Sequence, residues 1–120
     1  MTKGDETLRP REKLRLSKEF ARVYEEGTVF RTKRLALTVL EENGLPRKVG
    51  FVAGRKVGGA VERARAKRFL RESYRRLKKY VKAQGIHLVF NAKVPGSELT
   101  YEIVKADMEK LLREAGLISG

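Results

Sequence analysis

The chain reads as an α+β protein, a small sheet packed with helices. Segments with a two-residue apolar period alternate with segments whose apolar residues recur every three and four positions, in the order helix, strand, strand, helix, strand, helix. A length of 120 residues, with 41% hydrophobic and 36% charged, supplies one core and a densely charged surface. These features predict one domain over residues 9–116, a loose basic arm over 1–8 and a short tail over 117–120.

Along the chain, Arg9, Arg11, Lys13 and Arg15 flank Pro10 with few apolar neighbours, as a basic arm would. Ser17 can cap a helix whose face holds Phe20, Val23 and Tyr24, and Gly27 suits a left-handed stop. Leu35–Leu40 alternates as a strand, Asn43-Gly44 marks a turn, and Val49–Ala53 is a second strand by its β-branched and aromatic content. The two are expected to pair as an antiparallel hairpin. Gly54, Gly58 and Gly59 then surround Arg55-Lys56 in a flexible basic loop. After a long helix and the break at Gln84-Gly85, Ile86–Phe90 is a third strand. Val104, Met108, Leu111, Leu112 and Ala115 define a last amphipathic helix, ended by Gly116.

The long helix, Val61–Val81, is the most informative element. At 100° per residue Ala66, Phe69, Leu70, Ser73, Tyr74, Leu77, Tyr80 and Val81 gather into a core arc. The opposite side collects Arg63, Lys67, Arg68, Arg71, Arg75, Lys78 and Lys79, with Arg65 and Arg76 at its border. Only Glu62 and Glu72 oppose nine positive charges between residues 62 and 79. Like charges three and four apart destabilise a helix, so the pattern implies a polyanionic partner. The whole chain leans the same way, with 28 Lys and Arg against 15 Asp and Glu and a formal charge of +13. Phosphate backbones bind such arrays by counterion release, and arginine adds bidentate contacts and stacking. A membrane-surface helix would need its apolar face free for lipid, whereas the strands need that face for their core. Phe20 and Tyr24, one helical turn apart beside the basic arm, are either stacking platforms for single-stranded RNA or packing residues.

Self-sufficient catalysis finds no support. His87, the single histidine, sits inside a predicted strand and reads as structural, and with no cysteine present a common zinc set cannot be assembled. Gly54–Gly59 lacks the spacing of a nucleotide-binding loop. No apolar run reaches the roughly 18 residues of a membrane span, and the cysteine-free composition fits the cytoplasm. A protein with no catalytic residue, protein-bound metal or cofactor is expected.

The run from Lys56 to Glu72, Lys-Val-Gly-Gly-Ala-Val-Glu-Arg-Ala-Arg-Ala-Lys-Arg-Phe-Leu-Arg-Glu, resembles the signature of the bacterial ribonuclease P protein family. Leu16–Phe20 with Val23, Tyr24 and Gly27 resembles that family's first helix, Val49–Val52 its strand before the signature, and Leu88–Phe90 and Leu99–Leu112 its later strand and C-terminal helix. The resemblance spans residues 8–116. It implies a protein subunit that assists a catalytic RNA in the magnesium-dependent removal of the 5′ leader from precursor tRNA, one protein per RNA. Arg63, Arg65, Lys67, Arg68 and Arg71 inherit contact with the catalytic RNA. Phe20, Tyr24, Arg55 and Lys56 inherit contact with the leader. The family also implies a left-handed β-α-β crossover, against the general right-handed rule. Two positions depart from the family pattern: Ala64 stands where an asparagine is usual, and Thr38 where an aromatic is frequent. A structural RNA-binding protein, such as a ribosomal protein, is the alternative that charge and fold also allow.

Overall fold

Four strands form one sheet in a computed structural model that describes residues 7–118. Residues 1–6, most of the expected arm, and residues 119 and 120 lie outside the described residues. Strands β1 (Thr28–Arg31), β2 (Leu35–Pro46), β3 (Lys48–Ala53) and β4 (Gln84–Ala92) lie in the order β1-β2-β4-β3. β2 runs antiparallel to β1 and β4, and β3 runs parallel to β4. Helices α2 (Ala60–Leu77) and α3 (Tyr101–Glu114) cover one face, and α1 (Ser17–Glu26) covers part of the other.

The expected hairpin between Leu35–Leu40 and Val49–Ala53 does not form, because β4 lies between the two strands. Ile86–Phe90 is buried on both sides, and a central place in the sheet is what covers both. Only Arg47 separates β2 from β3, so the far half of β2 makes the step across. Its register against β4 slips between Glu41 and Pro46, where the chain crosses about 10 Å, two strand spacings. Asn43-Gly44 therefore lies within the extended β2, not at a hairpin tip. β1 is four residues at the sheet edge, too short and too exposed to show a period.

On the helical face, Leu35, Leu37 and Val39 of β2 and Ile86, Leu88 and Phe90 of β4 meet Ala66, Phe69, Leu70, Tyr74 and Leu77 of α2 and Val104, Met108, Leu111 and Leu112 of α3. The rings of Phe51, Tyr74 and Phe90 lie 5.9 to 6.4 Å apart by centroid, within the range of favourable aromatic pairs. Burial pushes the Tyr74 phenol up to about 12. Thr100 caps α3 by accepting the Ile103 N–H at 3.2 Å, and Gly116 takes the left-handed conformation just past its end, with φ of 75°.

Helix α2 stops at Leu77 and tightens into a 3₁₀ turn over Lys78–Tyr80. With about three residues per turn the wheel rotates, and two expected positions reverse: Tyr80 is 57% exposed and Lys78 only 7%. The Lys78 Nζ donates to the Thr7 carbonyl and, at 2.8 Å, to Glu12 Oε1. Arg47 donates to the carbonyls of Lys78 and Val81, each at 3.1 Å. Burial works against the Glu12 carboxylate, but the Lys78 hydrogen bond, the Arg9 N–H and the charges of Lys78 and Arg47 hold it below the usual range.

This cluster pins the N-terminal segment. Pro10–Glu12 form a 3₁₀ turn, Lys13 bridges Val49, and the Leu14 N–H donates to the Val49 carbonyl at 3.0 Å. Arg9, Arg11, Lys13 and Arg15 thus belong to an ordered strip along β3, not to a loose arm, because Leu14 is apolar and buries itself. At the other end Leu117 is buried and Ile118 bridges Val81, so packing continues past the expected boundary at 116.

On the second face Val23, Leu14, Leu40 and Val89 form a smaller cluster with Phe20, Leu45 and Val52. Phe20 lies so close over Gly50 that a Cβ there would overlap its ring. α1 begins at Ser17 itself, and Glu19 is the capping group: its Oε1 accepts from the N–H groups of Arg15 at 3.0 Å and Leu16 at 3.1 Å. Those bonds, with Lys48 Nζ at 3.2 Å from Oε2, hold the Glu19 carboxyl down at about 2. Gly27 is extended, not left-handed; it is glycine because a Cβ would sit 2.8 Å from the Val39 carbonyl oxygen.

Candidate nucleic-acid interface

The first surface is the outer side of α2. Its start is closed by Glu62, whose carboxylate accepts the Gly59 N–H at 3.1 Å, so one of the two acids in the basic run serves as the cap. Arg65, Lys67 and Arg68 are exposed, and Arg63 and Arg71 are half-buried. Among the described residues none of the five forms an ion pair with a carboxylate. Arg63 Nε lies 3.4 Å from the Gly59 carbonyl. The guanidinium carbons of Arg65 and Arg68 sit 4.9 and 5.5 Å from the centroid of the Phe69 ring, which holds both planes at the surface. Ala64 is exposed among them, so no packing demand accounts for it.

The second surface is the part of the sheet that α1 leaves uncovered. Strand alternation places Arg31, Ala36, Asn91 and Val52 in one row across this face. Tyr24, 45% exposed, borders the row and donates its hydroxyl to Asn91 Oδ1 at 3.2 Å. Phe20 differs from Tyr24: its half-buried ring anchors α1 on Gly50. Thr38 is 3% exposed, so that position offers no stacking surface. Arg55 and Lys56 are exposed on a 3₁₀ turn three residues beyond Val52. Arg31 and Asn91 escaped the sequence because β1 carries no periodic signal and the third strand runs two residues past Phe90.

Topology gathers further charge at one end of the sheet. β1, β3 and β4 all finish there and β2 begins there, bringing together Arg31, Lys33, Arg55, Lys56 and Lys93. α2 starts from the same end, so this basic rim links the cleft beside α1 to the signature helix. His87 lies on the α1 side, 7% exposed, with Nε2 buried and without a protein partner; burial holds the imidazole below its ordinary value. Among the described residues, no group of three or more His, Cys, Asp or Glu side chains could hold a metal. The residues assembled here supply positive charge, hydrogen-bond donors and one exposed ring.

The family model for ribonuclease P matches residues 8–116. The chain belongs to the ribonuclease P protein family. It is 36% identical over 105 residues to the ribonuclease P protein component of Natranaerobius thermophilus, covering 88% of this chain and 90% of that protein. It is 38% identical over 100 residues to that of Symbiobacterium thermophilum, covering 82% and 86%. The solved ribonuclease P protein of Thermotoga maritima superposes with a TM-score of 0.75 at 27% identity, covering 92% of this chain and all of that one. A Staphylococcus aureus structure, at 19% identity and a TM-score of 0.79, shares the fold. The chain is therefore the protein component of a ribonucleoprotein endoribonuclease of tRNA processing, and works with the ribonuclease P RNA. No helix among the described residues is long and apolar enough to cross a membrane.

Proposed function

We propose that the outer side of α2 docks the catalytic RNA, while the cleft beside α1 holds the 5′ leader of precursor tRNA. The observation that carries this division is the pair of surfaces joined by one basic rim. Arg65, Lys67 and Arg68 are exposed on one side, with Arg63 and Arg71 half-buried beside them. Tyr24, Asn91 and Arg31, with Arg55 and Lys56 at the rim, line the partly uncovered sheet face on the other. Phosphates would follow the cations, and an unpaired base would stack on Tyr24. Phe20 supports this cleft by seating α1, and Arg9, Arg11, Lys13 and Arg15 extend the positive field along β3. The catalytic RNA supplies the hydrolysis with its own magnesium, and one protein binds one RNA. A cysteine-free chain suits the cytoplasm, where tRNA is made.

The deciding assay is cleavage of leader-bearing precursor tRNA by a bacterial ribonuclease P RNA at low magnesium. Added protein should raise the rate, and the protein alone should cleave nothing. No stimulation would remove the proposal. Tyr24→Ala should weaken binding of precursor tRNA by roughly 5-fold or more, the worth of one stacked base, and leave binding of mature tRNA unchanged. Equal losses on both would place the leader elsewhere.

A further inference from the structure

A second basic groove lies between the end of α2 and α3, far from the cleft and on the opposite side of the sheet. It encloses about 470 Å³ and is lined by Arg76, Lys79, Tyr80, Lys105, Glu109 and Arg113, among others. Among the described residues, four cations and one carboxylate line it. Glu109 pairs with Arg113 at 2.8 Å, and Lys79 and Lys105 form no ion pair among the described residues. Favourable charge at helix ends explains part of this, since Arg76 and Arg113 stand in last turns. It does not explain Lys105, which is in the second turn of α3.

Nor does it explain Tyr80. Of the nine Phe and Tyr residues in the chain, only Tyr24 and Tyr80 are largely exposed. Tyr24 borders the cleft already described, and Tyr80 stands in this groove with Lys79 Nζ 5.3 Å from its ring centroid. An exposed ring beside cations is the combination that binds unpaired nucleotides: phosphates meet the charges and a base stacks on the ring. The tightening of the chain at Lys78–Tyr80 is what turns this ring outward.

We infer that this groove is a second RNA-binding site, which takes an unpaired segment of the catalytic RNA. The inference rests on the proposed docking of that RNA by α2. Arg76 follows Arg65 by three helical turns on nearly the same side, about 16 Å along the axis, so the groove continues the docking surface. The leader cleft opens on the other side of the sheet, which assigns the groove to the catalytic RNA and not to the substrate.

The test uses the full chain and a bacterial ribonuclease P RNA, with binding measured across a salt series. Lys79→Ala with Lys105→Ala should lower the log–log salt slope by roughly 1.5, two phosphates at about 0.7–0.9 each. Tyr80→Ala should weaken binding by roughly 5-fold or more, while Tyr80→Phe, which keeps the ring, should stay within about 2-fold. A photo-crosslinking residue, Tyr80→p-benzoylphenylalanine, should mark unpaired nucleotides of the catalytic RNA in the holoenzyme. Unchanged slope and affinity, or a crosslink only to precursor tRNA, overturns the inference. If the double variant unfolds, the Tyr80 pair and the crosslink still decide. Failure of the unaltered chain to bind the RNA would instead sink the proposed function. Loss on Arg65→Ala with none in the groove variants sinks only the second site.

Discussion

The two faces of the sheet solve different problems. The face under α2 and α3 is sealed, with Leu70, Leu88, Phe90, Met108 and Leu111 fully buried. α1 covers only part of the other face, leaving Tyr24 and Val29 largely exposed and Val52 and Asn91 partly so. The sealed face carries the stability that lets α2 tolerate a crowded row of like charges on its outer side. The half-open face gives up burial and keeps side chains exposed, as the proposed leader contact requires. Stability and the proposed substrate contact are thus separated by one layer of sheet.

Large-to-small substitutions should expose this asymmetry most strongly. Leu70→Ala should cost about 4 kcal/mol, toward the upper end for buried leucine, and Leu40→Ala on the α1 side about 2 kcal/mol, because a partly open site relaxes more easily. Urea unfolding of both variants measures the gap, and equal losses would mean the two faces are equally well packed.

Gly50→Ala comes next. Its new methyl meets the Phe20 ring, so α1 must shift, at about 1–3 kcal/mol. Affinity for precursor tRNA should fall while affinity for the catalytic RNA holds, and the opposite pattern would break the division of labour. On the α2 side, Arg65→Ala and Arg68→Ala should each flatten the salt dependence of catalytic-RNA binding by roughly 0.7–0.9 of a log–log unit for every phosphate no longer neutralised. An unchanged slope would mean that neither guanidinium meets a phosphate.

Acid should loosen the α1 side first. Glu19 is held down to about 2, so its contribution is complete above the ordinary carboxylate range and is lost as pH falls toward about 2. His87 is lowered too, so its burial stabilises the fold above the ordinary imidazole range and ceases to do so as the unfolded chain takes up a proton there. Thermal unfolding from pH 7 to 3 should therefore show a progressive loss, smaller in Glu19→Gln below about pH 4.5. A parallel loss in that variant would mean Glu19 does not cap α1. The smallest change expected is Ala64→Asn, an exposed site among cations, which should leave stability within about 0.5 kcal/mol. A larger loss in melting experiments would show an interaction that the fold does not display.

Much of this was legible because it is local. The apolar spacing of α2 and α3 named nearly every buried residue on those helices, and the density of arginine around Ala64 marked the stretch of α2 proposed to dock RNA. Helix periodicity depends on neighbours three and four residues away, which a sequence displays directly. The cleft was less legible. Tyr24 stood out, but its partner Asn91 is 67 residues distant, and Arg31 lies on a strand that shows no period.

By itself, then, the sequence determined the helices, the apolar strand segments, the polyanion-binding character and the family resemblance, all properties of composition and short-range spacing. Only the tertiary structure decided which strands are neighbours, because β4 sits between β2 and β3 through backbone pairing, which side-chain spacing does not record. The same long-range packing turned Lys78 from a surface charge into the buried partner of Glu12 and swung Tyr80 outward. Where a helix ends depends on what waits to receive its last turn, and that partner is distant in the chain.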